Sequence, residues 1–153
     1  MERENMKNTY VLDSSVIIKW FSARDEEDIE KALIFRKLHL QKRCKIIIPA
    51  LSFYEIGNAL RYNPFFDEKD VKDAIESLLK MELKFVPPDK EVGKLAVNIA
   101  YQKGITFYDA YFLSLAKISN CLLVTADYKC YERVKDFDFV VRLKDLVLEQ
   151  NSY

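Results

Sequence analysis

At 153 residues the chain is sized for one folded domain, and residues 1–153 are expected to form a single one. Lysine and arginine number 24 and aspartate and glutamate also 24, so no global basic footprint announces a general nucleic-acid binder. Any nucleic-acid role must therefore rest on local patches and on the chemistry of a site.

The hydrophobic half of the composition is enough to build a core, and with only three glycines and four prolines the chain should be dense in regular elements. Tyr10-Val11-Leu12 is a short apolar run reaching Asp13, read as a buried strand, and Val16 to Phe21 then suggest a short helix. Asp28 to Gln41 carries Ile29, Leu33, Ile34 and Leu38 at helical spacing, as an amphipathic helix would. Ile46-Ile47-Ile48 closed by Pro49 predicts a second buried strand, followed by a helix from about Ala50 to Tyr62. Asp67 and Asp89 are N-caps for two further helices, with Phe85-Val86 between them as a short strand or edge segment. Gly104 stops the second of these helices, and Thr106 caps another through Ala116. Leu122 to Val124 and Phe139 to Val141 complete the strands. Strands apolar along their whole length, alternating with helices, predict an α/β fold: a three-layer sandwich with a mostly parallel sheet of four to five strands and helices on both faces.

Three cysteines, Cys44, Cys121 and Cys130, form no Cys-x-x-Cys pair and read as free thiols of a reducing cytosol. The N-terminus is polar, with no apolar signal segment, and no run is long enough for a bilayer, so a cytoplasmic protein without membrane contact is expected.

In an open parallel sheet, ligands bind beyond the carboxyl ends of the strands. Asp13 ends the first strand, Asp127 follows the strand Leu122 to Val124, Glu55 lies early in the helix after Pro49, and Asp109 lies in the first turn after Thr106. Each has a plainer role open to it: Asp13 as a helix cap, Asp109 as partner in a capping box, Asp127 as a turn residue, Glu55 as a solvated helix side chain. Together they can converge on one rim. Crowded carboxylates repel unless a cation neutralises them, and an oxygen-only pocket suits Mg2+ or Mn2+.

The segments Tyr10 to Lys19, Pro49 to Leu60, Thr106 to Ala116 and Leu122 to Asp127, taken in order, resemble the PIN domain family, and within it the toxin subunits of VapBC-type toxin–antitoxin pairs. The resemblance implies that Asp13, Glu55, Asp109 and Asp127 form an acidic catalytic and metal-binding quartet. Ser14, Asn58 and Thr125 would be polar supporters. It further implies a metal-dependent endoribonuclease that leaves a 5′-phosphate and a 3′-hydroxyl, with RNA as substrate and with a cognate antitoxin and a second copy of the chain as partners.

Such hydrolysis needs no histidine, and His39 is expected to be an ordinary helix residue. Lys19, Arg24, Lys129 and Arg133 are candidates for holding RNA, with Trp20, Tyr108, Tyr128 and Tyr131 as stacking surfaces. Phe35, Phe53, Tyr54, Phe65 and Phe66 could supply a dimer face or the core, and the Arg36-Lys37 and Lys42-Arg43 cluster reads as a solvated helix end. A receiver-like domain would want paired acids after the first strand, and a haloacid-dehalogenase-like phosphatase would want aspartates two apart, where Ser15 stands. A PIN fold that grips RNA or a protein without cutting is the alternative.

Overall fold

The computed structural model describes residues 8–22 and 28–148. Five strands, β1 (Thr9–Leu12), β2 (Lys45–Pro49), β3 (Lys84–Val86), β4 (Leu122–Thr125) and β5 (Val140–Arg142), form one sheet in the order β3-β2-β1-β4-β5. Every pairing is parallel, with Tyr10 opposite Ile46, Val11 opposite Leu123 and Val124 opposite Val141. The sheet is thus wholly parallel, at the upper end of the expected strand number.

Seven helices are described: α1 (Ser14–Ile18), α2 (Ile29–Leu40), α3 (Ala50–Arg61), α4 (Glu68–Lys80), α5 (Lys90–Lys103), α6 (Phe107–Ile118) and α7 (Tyr128–Val134). Strand side chains alternate between faces, and the sheet sorts them accordingly. Leu12, Ile46, Ile48 and Val124 pack with Val16, Phe35, Ile56 and Leu78, beneath α1 to α4. Val11, Ile47, Leu123 and Val140 pack with Ala96, Phe112, Leu113 and Val134, beneath α5 to α7. Two cores on one sheet give the three layers the sequence predicts.

Local signals behave as their chemistry requires. Asp67 accepts from the Asp70 N–H at 2.8 Å while Asp70 accepts from the Asp67 N–H at 3.0 Å, a reciprocal capping box. Gly104 ends α5 at φ 63, a left-handed conformation that would strain a side-chain-bearing residue. In α2 the apolar stripe is not the expected one. Ala32 and Phe35 point into the core, whereas Leu33 is 38% exposed. The helix is apolar on more than one side, so the packing against Tyr10 selects the face, with the Tyr10 and Phe35 rings edge to face at 5.1 Å. No described helix is long and apolar enough to cross a membrane.

Candidate active site

The chain leaves β1 toward β2 and β3 on one side, while β4 and β5 lie on the other. The strand order therefore reverses between β1 and β4, and at such a switch point the carboxyl ends of two neighbouring strands open a crevice. Asp13 and Asp127 follow those two ends. The edge is zipped by the Asp13 N–H donating to the Val124 carbonyl at 2.9 Å and the Ala126 N–H donating to Ser15 Oγ at 3.0 Å.

Asp13 caps α1. Its Oδ2 accepts from the Ser15 N–H at 3.3 Å, from the Ser15 hydroxyl, and from Thr125 Oγ1 at 3.4 Å. Asp127 caps α7, its Oδ1 accepting from the Cys130 N–H at 3.0 Å, and its own N–H donates to Thr125 Oγ1 at 3.0 Å. Thr106 caps α6 by accepting from the Asp109 N–H at 3.1 Å, which sets Asp109 in the first turn. Glu55 on α3 receives the Ser14 hydroxyl on Oε1 at 2.9 Å. That hydroxyl's single proton is then used, so Ser52 is the donor in the 2.8 Å Ser14–Ser52 contact.

Asp13, Asp109, Thr125, Asp127 and Cys130 line a cavity of about 20 Å³, room for roughly one water or ion. Glu55 couples to them electrostatically. Burial, with a smaller push from Asp109 and Asp127, raises the Asp13 carboxyl from 3.8 to about 6. Glu55 is raised by burial and by the charges of Asp13 and Asp109, and Asp109 by burial and by Asp127. One oxygen of each carboxylate is held by a protein donor. The other oxygens of three of them, Asp13 Oδ1, Glu55 Oε2 and Asp127 Oδ2, accept no hydrogen bond among the described residues, whereas Asp109 is also held by the Thr106 hydroxyl. Such oxygens fit a hard cation. Among the described residues no three ligand-type side chains stand as a ready-made cage.

Ser15, Ser52 and Cys130 are site residues that the sequence does not announce. Cys130 matches no metal-ligand spacing, and only the packing of α7 against α6 brings its Sγ to 3.8 Å from Asp109 Oδ2. Burial and the charges of Asp109, Asp127 and Asp13 push this thiol up to about 12, and burial pushes Cys44 and Cys121 to about 11. All three should resist alkylation by iodoacetamide at pH 8 in the native protein and react rapidly once urea is added. Fast native labelling of Cys130 would contradict its neutral, hydrogen-bonded state.

Several expected RNA contacts need correction. Trp20 is 9% exposed and its Nε1–H donates to the Ala32 carbonyl at 2.7 Å, so it is a core residue and no stacking platform. Lys19 is 9% exposed, which leaves its ammonium little surface to offer. Arg24 lies outside the described residues. Arg133 is pinned by Nη1 donating to the Gly104 carbonyl at 2.7 Å. Lys144 sits over the Tyr128 ring at 4.7 Å and Arg142 over Tyr131 at 5.1 Å, so one face of each ring is taken. Lys129 and Tyr108 remain exposed, the latter at 58%. Asn58 is exposed on α3 beyond Glu55. Among the aromatics considered for a dimer face, Phe35 is fully buried, while Tyr54 and Phe65 are exposed.

Fold and site together define the class. The PIN domain family model matches residues 10–136, and the chain belongs to that family. It is 34% identical over 100 residues to the protein named exonuclease VapC9 of Pyrobaculum aerophilum, covering 63% of this chain and 72% of that one. A toxin–antitoxin complex from Klebsiella pneumoniae contains a chain of similar fold, with TM-score 0.65 at 14% identity, covering 88% of this chain and 97% of that chain. VapC20 of Mycobacterium tuberculosis, described as a sarcin–ricin-loop-cleaving toxin, superposes with TM-score 0.59 at 12% identity, covering 79% of this chain and 93% of that one.

Proposed function

We propose that the chain is a single-domain, metal-dependent endoribonuclease, the toxin of a toxin–antitoxin pair acting in the cytoplasm. The reading is supported by Asp13, Asp109 and Asp127 lining one small cavity at the switch point, with Glu55 close enough to feel the charges of Asp13 and Asp109. Those four carboxylates would hold one or two Mg2+ or Mn2+ ions, which when bound polarise a phosphoryl oxygen and supply hydroxide at neutral pH.

The protein's own part is positioning and charge. Ser15 and Thr125 fix the Asp13 carboxylate, and Ser14, backed by Ser52, fixes Glu55. Ligands oriented in this way lose less conformational freedom when a cation arrives. His39 takes no part: its ring Nε2 meets the Met81 carbonyl at 2.6 Å, at the opposite edge of the sheet. A carbonyl only accepts, so Nε2 carries the proton there. The related Pyrobaculum protein is named an exonuclease, whereas the Mycobacterium toxin is described as cutting a loop. We favour internal cleavage, because the acids sit on an open strand edge between helix N-termini.

A circular RNA carrying an unpaired loop separates these possibilities, since an enzyme that needs a free end cannot open it. The expected result is linearisation with Mn2+, abolished by EDTA and restored by excess metal. An intact circle with Mn2+ present, while a linear copy is shortened, would assign end-directed cleavage. RNA binding with no product from either would leave a non-catalytic binding module. The antitoxin partner is supported by the toxin–antitoxin complexes of like fold, and exposed Tyr54 and Phe65 support self-association. Co-expression with any small reading frame found beside its gene, sized by light scattering, tests both. A monomer that captures nothing would count against them.

A further inference from the structure

A second charged surface lies on the opposite edge of the sheet. His39, Lys42, Lys45, Lys80, Glu82 and Lys84 line a groove of about 440 Å³ where β2 and β3 begin. Lys80 is paired with Glu76 at 2.9 Å. Lys42, Lys45 and Lys84 are exposed and form no ion pair among the described residues. Lys42 is accounted for as a solvated cation just beyond the end of α2, where positive charge complements the helix dipole. That account does not extend to Lys45 and Lys84, which lie on strands. Lys84 on the edge strand β3 also discourages edge-to-edge pairing, but Lys45 lies on an interior strand. In a chain of zero net charge, three lysines without an ion-pair partner beside one glutamate are a local concentration that invites a polyanion.

We infer that this groove is a distal binding site for the phosphate backbone of a folded RNA whose scissile strand lies at the acidic edge. The inference rests on the ribonuclease reading. Of the cations expected near the acidic rim, Lys19 and Arg133 are buried or engaged and Lys129 is exposed, so further affinity for a polyanion has to come from elsewhere. The groove opens at the amino end of β2 and Glu55 follows its carboxyl end, which puts the two regions on the order of 16 Å or more apart. A dinucleotide held at the acids does not span that gap. A stem with its loop does. Substrate choice then depends on shape, as double-stranded RNA is generally recognised, with the cut made in an unpaired segment.

The test is a triple variant, Lys42→Gln, Lys45→Gln and Lys84→Gln, beside its Lys→Arg counterpart. Binding of a folded stem-loop RNA is measured across salt concentrations in an Asp109→Asn background, so that no turnover intervenes. Removing up to three phosphate contacts should weaken binding about tenfold or more at low salt and flatten the log–log salt slope by roughly 2. The arginine variant should bind as the parent does. In the active protein, the glutamine variant should cut an unstructured oligonucleotide too short to reach the groove at the parent's kcat/KM while losing the stem-loop through KM. Unchanged affinity and salt slope would overturn the inference, as would equal losses for oligonucleotide and stem-loop. If the parent cuts no RNA yet the glutamine variant loses binding, the nuclease reading fails and the groove stands. If the parent cuts and the variant matches it throughout, the groove alone fails.

Discussion

Asp13→Asn is expected to cut RNA roughly a hundredfold to ten-thousandfold more slowly than the parent at saturating Mn2+, a loss of several kcal/mol of transition-state stabilisation. Asparagine is the informative replacement. Asp13 caps α1 by accepting the Ser15 N–H, and an asparagine carbonyl can do the same. The variant therefore removes the ligating charge and keeps the cap, whereas alanine would confound chemistry with helix stability. Initial rates on a labelled RNA, beside a thermal melt to confirm folding, decide the matter. Cleavage at the parent's rate would mean that Asp13 has no part in the chemistry.

The second large effect concerns stability. Burial and neighbouring charge raise the Asp13 carboxyl from 3.8 to about 6 in the folded protein, so the fold binds this proton more tightly than the unfolded chain does. Between those values the folded state holds more protons, and stability must fall as pH rises. Full ionisation of Asp13 costs about 3 kcal/mol, and acidifying from pH 7 to pH 5 should recover about 1 kcal/mol, or about 3 °C in Tm. Glu55 and Asp109 are raised as well and act in the same direction. Carboxyls held below their usual range, such as Asp67, Glu132 and Asp136, oppose the trend only at lower pH, outside this window.

Without divalent ions, then, the parent should melt higher at pH 5 than at pH 7, and Asp13→Asn should show a smaller rise. Mn2+ at pH 7 should stabilise the parent more than the variant, because a cation offsets the same repulsion that a proton does. Calorimetry at both pH values, with and without metal, checks each sign. A parent that melts lower at pH 5 would show that the site carboxyls are not the dominant titrating groups.

The architecture was legible because each strand is an unbroken apolar run and most helices open on a recognisable cap. Thr106 and Asp67 needed no tertiary information to be read correctly, since capping is settled within a turn. The acids could be ranked by position because parallel strands deliver their carboxyl ends to one edge. What escaped the sequence depends on contacts between distant segments. Trp20 and Lys19 look like surface residues until α2 covers the end of α1 and its Ala32 carbonyl takes the indole N–H. Helix α7, seven residues long, is too short for a periodic signal, and so Cys130 and the capping role of Asp127 were hidden behind an apparent turn. The stripe of α2 was misassigned because a helix apolar on several sides leaves the choice to its neighbours. The lysines of the groove come from a helix–strand connection, two strands and a helix end, a coincidence of space that no linear pattern encodes.

The Thr125 hydroxyl reaches Asp13 across a sequence separation of 112 residues. Non-local pairings of this kind form late in folding, because closing so long a loop is entropically costly. On the ribosome, Asp13 emerges early and must wait for most of the polypeptide before β4 can dock beside β1 and bring Asp127 to it. A half-made chain therefore holds no complete set of acids. A destructive activity would be withheld from its own messenger until β4 has been made and has docked, leaving a partner the whole of that interval in which to be ready.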